Sequence, residues 1–172
     1  MDDNNNFETL RGLFEGGSFP NTQINILTGD GVQVSYESPN KHAQDEKFEG
    51  LKQSVMDYVT KLMPVVASEY KEVYQKMWLE ILEKDAVSKI VYERGRQQGT
   101  LFNRNLVAQI SHMMQTDGVI ISETTDVRMA ELLEPKQGKN HPVRGALATP
   151  PEDKLVKKAV NEVFEKHGVT IK

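Results

Sequence analysis

The chain has 172 residues, a formal net charge of −4 and no cysteine. That length suits one domain able to bury its own core, and the missing cysteines exclude disulfides, thiolate metal sites and cysteine nucleophiles. No apolar run approaches the roughly 18 residues of a membrane-spanning helix. The opening MDDNNNFETL is polar and acidic, unlike a secretory signal, so a cytoplasmic protein with no membrane partner is the expectation.

Charge is unevenly placed. Residues 1–83 carry 7 Lys/Arg against 14 Asp/Glu, whereas residues 86–172 carry 13 against 10. A dedicated nucleic-acid binder usually shows a stronger overall bias, but the local asymmetry leaves such a role open.

Residues 1–6 have nothing apolar to anchor them and read as a disordered tail; residues 7–172 read as one globular domain. Phe7, Leu10, Leu13 and Phe14 recur at helical spacing until Gly16-Gly17 stops the pattern. Ile24 and Ile26, then Val32, Val34 and Tyr36, alternate around Thr28-Gly29-Asp30-Gly31, which predicts a β-hairpin. The glycine-rich turn is not a phosphate cradle, because a strand rather than a helix follows it.

After the break at Ser38-Pro39-Asn40 a helical body is expected over 42–133. Phe48, Leu51, Val55, Tyr58/Val59 and Leu62/Met63 mark a first face that Pro64 ends or kinks. Tyr70, Val73, Tyr74, Met77, Trp78, Ile81 and Leu82 form the strongest pattern in the chain, a wide apolar stripe that predicts the central core helix. Val87, Ile90 and Val91 carry a helix to Gly95. Leu106, Val107, Ile110, Met113 and Met114 mark the next, entered at Asn103 or Asn105 as cap and stopped near Asp117-Gly118.

Val119-Ile120-Ile121 is a short apolar run that reads as a buried strand, pairing with the hairpin or with Val169-Thr170-Ile171. Thr125 or Asp126 caps a brief helix that Pro135 ends. Residues 134–149 lack periodicity and read as a basic loop. Thr149-Pro150-Pro151-Glu152 resembles a capping box opening a helix over Leu155, Val156, Ala159, Val160, Val163 and Phe164, closed at Lys166-His167-Gly168. The fold class is therefore mainly α with a small β component (α+β): four to five helices, the hairpin and one short strand. Residues 86–133 admit a winged-helix-like arrangement.

Catalytic signatures are missing from the sequence. His42, His112, His141 and His167 show no metal-ligand spacing, there is no HExxH or GxSxG, and 25 carboxylates offer no acid/base pair without geometry. No cofactor is expected, and a non-enzyme is favoured. The one functional lead is Arg94-Gly95-Arg96-Gln97-Gln98-Gly99-Thr100 followed by Asn103-Arg104-Asn105. Arg and Asn beside accessible backbone are what phosphate and base-edge contacts are made of, although cations and glycine also simply close a helix.

The expectation is a regulatory or accessory protein that binds a macromolecule. In its sharper form the partner is DNA or RNA, held by Arg94, Arg96, Arg104, Asn105, Lys139 and Arg144. The alternatives are an interaction module for another protein or for itself, using the Phe7–Phe14 helix or a hairpin edge, and a small-molecule or enzymatic pocket near Tyr70, Tyr74, Trp78 and His112.

Overall fold

A computed structural model describes residues 40–97, 100–135 and 142–172, with side chains from 48 to 93 in the first of these stretches. The chain divides into two units at Lys47/Phe48, and the second, Phe48–Lys172, contains the packed core. The expected tail, the Phe7–Phe14 helix and the Ile24–Tyr36 hairpin lie outside the described residues, as do Lys139 and His141.

The described residues are mainly helical and contain no strand. In chain order the helices are α1 (Asn40–Thr60), α2 (Tyr74–Leu82), α3 (Asp85–Gln97), α4 (Arg104–Thr116), α5 (Asp126–Leu133), α6 (Arg144–Leu147) and α7 (Lys154–Lys166), with 3₁₀ turns at Met63–Val65 and Ser68–Tyr70. That is seven helices rather than four or five. Of these only α6, a single turn, lies in a stretch expected to be irregular.

The centre of the core is the predicted stripe. Tyr74, Met77, Trp78 and Ile81 are wholly buried and Leu82 nearly so, which fills one side of α2. The helix starts later than the pattern does. Tyr70 belongs to the second 3₁₀ turn and is only partly buried. Val55, Val59 and Leu62 close on this core from α1 and the turn after it, and Val156, Val160 and Phe164 close on it from α7. Each such side chain contributes about 1.5–3 kcal/mol on burial, which a 13-residue helix needs because it is marginal alone.

Ion pairs fix how α2 and α7 run. Lys84 Nζ lies 2.9 Å from Glu162 Oε2 and Lys166 Nζ 2.9 Å from Glu80 Oε2, so the later residue of one helix meets the earlier residue of the other. His167 Nε2 lies 3.3 Å from the same Glu80 oxygen. The hydrogen bond from Lys166, with His167 adding to it, holds the Glu80 carboxyl below the usual carboxylate range; Lys84 does the same for Glu162.

Among the described residues the expected strand at Val119–Ile121 is a single antiparallel bridge, and its partner there is not the tail. Ile120 pairs with Val66, Ala67 N donates to Val119 O at 3.0 Å, and Ile121 N donates to Val65 O at 2.9 Å. The partner is the short extended link between the two 3₁₀ turns, which the Pro64 break sets up. A winged helix needs a β-wing after its reader helix, and the described residues within 86–133 hold no strand from which to make one. The tail is used differently: Val169 is buried, and Lys172 N donates to Asp117 Oδ1 at 2.9 Å.

Caps follow the chemistry of each junction. Asn103 Oδ1 accepts from Leu106 N at 3.1 Å, and Thr125 Oγ1 from Arg128 N at 3.2 Å. Gly118 and Gly168 follow the C-caps of α4 and α7 with φ of 84° and 74°, a region that favours glycine. The last helix differs from expectation. It is capped by Asp153, whose Oδ1 accepts from Leu155 N at 2.8 Å and Val156 N at 3.4 Å, not by Thr149. Proline at 151 disfavours helical backbone at Pro150, so Thr149 has no helical N1 residue after it.

Asp153→Ala is accordingly expected to lower stability by about 1 kcal/mol, while Thr149→Ala leaves it within about 0.5 kcal/mol. Urea unfolding of the two variants checks this, and the reverse order would place the cap at Thr149.

Residues 142–149, the described end of the expected loop, also differ from expectation. Val143 and Leu147 are buried, Arg144–Leu147 form a single helical turn, and α6 packs against α4 and α5. One turn leaves no periodicity to read in a sequence.

Candidate functional site

The site is the junction between α3 and α4, and it is built by alternation. Leu101 is 65% exposed, Phe102 and Asn103 are buried, and Arg104 and Asn105 are exposed. The buried pair anchors the turn to the rest of the unit. Asn103 N donates to Val91 O at 2.7 Å, tying the start of α4 back to α3. The Phe102 ring sits edge-on to Tyr58 of α1, with centroids 5.4 Å apart. Asn103 then caps α4, so the first turn of that helix is held from two sides while Leu101, Arg104 and Asn105 face outward.

Beneath Arg104 lies a carboxylate that the sequence did not associate with it. Glu134 follows the last residue of α5, and its side chain is only 7% exposed. Its Oε1 accepts from Arg104 Nη1 at 3.3 Å and from the Tyr58 hydroxyl at 3.1 Å. Its Oε2 is buried and has no hydrogen-bond partner among the described residues. Burial, followed by the Glu134 charge and hydrogen bond, pushes the Tyr58 phenol well above its ordinary value. Lys61 completes the surroundings, donating to Leu133 O at 3.0 Å with its ammonium 5.3 Å from the centroid of the Tyr58 ring.

The six residues predicted to bind nucleic acid fall as follows. Arg94 and Arg96 lie on the last turns of α3, and Arg104 and Asn105 open α4. Together they belong to one helix–turn–helix junction. Arg144 begins α6, is exposed, and is placed by a turn packed on α4. Lys139 lies outside the described residues. Arg104 is ion-paired, with Glu134 and not with Glu93 or Asp126 as its partner. Elsewhere on α5, Glu131 pairs with Arg128 at 3.6 Å.

The side chains proposed for a pocket are occupied with packing. Tyr74 and Trp78 have no exposed surface, and the Tyr74 hydroxyl donates to Val59 O at 3.0 Å. His112 is partly buried and its Nδ1–H donates to Leu147 O at 2.8 Å, which fastens α6 to α4. Among the described residues no group of three His, Asp or Glu side chains is placed to hold a metal ion, and no helix is long and apolar enough to cross a membrane.

Glu134 and Tyr58 are the parts of the site that sequence reasoning missed. They stand 30 and 46 positions from Arg104, beyond any helical or strand periodicity, so nothing local signals their meeting. Glu134 directly before Pro135 reads as an exposed helix-end acid.

No family model matches the chain, and neither the curated proteins nor the solved structures contain a match to it.

Proposed function

We propose that this is a non-enzymatic accessory protein of the cytoplasm that binds a macromolecule through the α3–α4 junction, with DNA or RNA as the partner. One observation carries the proposal: Arg104 and Asn105 stand exposed on the first turn of a 13-residue helix whose entry is fixed by buried Phe102 and Asn103. A helix N-terminus presents backbone N–H groups and a partial positive charge. An arginine and an asparagine beside it supply the donors that phosphates and base edges accept. The sequence adds Arg94, Arg96, Lys139 and Arg144 to that set.

The test is fluorescence anisotropy of labelled random-sequence duplex DNA and of single-stranded RNA, from low to physiological salt. Binding is expected in the micromolar range at low salt and to weaken steeply as salt rises. Changing Arg94, Arg96 and Arg104 together to alanine is expected to weaken it roughly tenfold. No binding at low salt would end the nucleic-acid reading.

A protein partner is the second reading. It is favoured by Leu101, a large apolar side chain 65% exposed at the centre of the same junction. It predicts that Leu101→Asp abolishes partner capture.

A further inference from the structure

We propose that Glu134 determines the selectivity of the junction by holding Arg104 back from phosphate. This rests on the nucleic-acid reading above and specifies which of its cations is available. The geometry is a stack of three groups. The Tyr58 hydroxyl and Arg104 Nη1 both donate to Glu134 Oε1, at 3.1 and 3.3 Å, with the carboxylate 7% exposed beneath an arginine side chain that is 45% exposed.

An anion approaching Arg104 from solvent therefore meets a cation with a negative charge directly behind it. The pair presents a dipole rather than a point charge, and its attraction fades faster with distance. Burial matters to this, because salt screens a buried charge far less than an exposed one.

The Glu134 backbone is also fixed in place. Its backbone N–H donates to Ala130 O at 2.9 Å, closing α5, and Pro135 follows directly. Nor does the arginine leave cheaply, since its departure would strand a buried carboxylate. What Arg104 keeps is its directional donors: a guanidinium has five N–H groups, and the bond to Glu134 uses Nη1 alone. The arginine is thus suited to a neutral acceptor such as a base edge, which recognises hydrogen-bond geometry, more than to phosphate, which recognises charge. The remaining arginines carry the non-specific attraction, and Arg104 contributes little to it while Glu134 is in place.

A double-mutant cycle on the full chain decides the matter, using random-sequence duplex DNA as the probe and anisotropy as the readout. Glu134→Gln keeps an acceptor for Tyr58 and removes the charge. It is expected to tighten binding roughly three- to tenfold at low salt and to steepen the plot of log affinity against log salt by about one unit, the share of one newly released counterion. Arg104→Ala alone should change affinity less than about twofold, the size expected of a half-neutralised surface charge. In Glu134→Gln/Arg104→Ala both gains should vanish.

Tyr58→Phe, which disturbs the same cluster but leaves the charge, should leave the salt slope unchanged. A general loosening of the fold would instead move all these variants together. Should circular dichroism show Glu134→Gln to be unfolded, Glu134→Met replaces it, with the same expectations. The proposal is overturned if removing the charge leaves affinity and slope unchanged or weakens binding, or if the gain persists without Arg104. Wild-type protein that fails to bind overturns the nucleic-acid reading itself, and this proposal with it.

Discussion

Above pH 10 the helical unit is expected to unfold cooperatively, driven by three buried tyrosines. Tyr58, Tyr74 and Tyr92 are 7%, 0% and 6% exposed. Burial is the main cause that raises each phenol. For Tyr92, with a contribution from Glu49, the value is pushed up to about 12, and Tyr58 and Tyr74 shift in the same direction. The folded state thus keeps protons that the unfolded chain releases near 10.

Stability from this source is complete below pH 10 and falls as pH rises through the interval between unfolded and folded values. The loss is roughly 1.4 kcal/mol per tyrosine for each unit by which folded and unfolded values differ, a sizeable part of the 5–15 kcal/mol that typically holds a domain together.

Absorbance at 295 nm and far-ultraviolet circular dichroism should therefore change together. Tyr92→Phe should move the transition to higher pH at little cost near neutrality, because the Tyr92 hydroxyl has no hydrogen-bond partner among the described residues. All five tyrosines of the chain ionising near 10 with the dichroism intact would show that none is buried as described.

The second large effect is expected from Trp78→Ala. Trp78 is wholly buried at the centre of α2, as are Tyr74, Met77 and Ile81 of the same stripe. Removing an indole from such a place costs about 3–5 kcal/mol, equivalent to roughly 10–20 °C in melting temperature for a unit of this size. Leu155→Ala provides the contrast, since that side chain is 66% exposed and its loss should stay within about 0.5 kcal/mol. Thermal melts followed at 222 nm separate the two, and similar melting temperatures for both variants would mean that the α2 stripe is not the core.

The places where sequence and structure agree, and where they part, have physical reasons. The faces of α1, α2, α4 and α7 were legible because each buries side chains at i, i+3 and i+4 over more than two turns, a pattern that only a helix makes. The cap at Asn103 and the stop at Gly118 were legible because both are local chemistry.

Short and cooperative features were not. A four-residue helix at Arg144–Leu147 is too brief for a period. A run of three apolar residues, Val119–Ile121, looks alike whether it enters a sheet or makes one bridge to Val66. Thr149 matched a cap motif whose prolines exclude the backbone it needs, and Asp153, four residues later, took the role.

At the candidate site the split is similar. The cationic and amide residues of the junction could be read from the sequence, as could the helix they open. Which of those cations has a counterion could not, because Glu134 comes from the end of another helix and Tyr58 from a third. Charge read along the chain made the junction look more basic than it is, since a buried carboxylate sits beneath one of its arginines.

Whether the α3–α4 junction is the contact surface is decided by amide chemical-shift mapping. Isotope-labelled protein titrated with a short random-sequence duplex at low salt should show its largest shifts at residues 100–106, with smaller ones on the last turn of α3 and at Arg144. The exposed parts of α2 and α7 should stay still. Shifts concentrated on α2 and α7 with the junction unmoved would rule the junction out, and place the contact on the opposite charge pattern of Glu80, Glu162, Lys84 and Lys166.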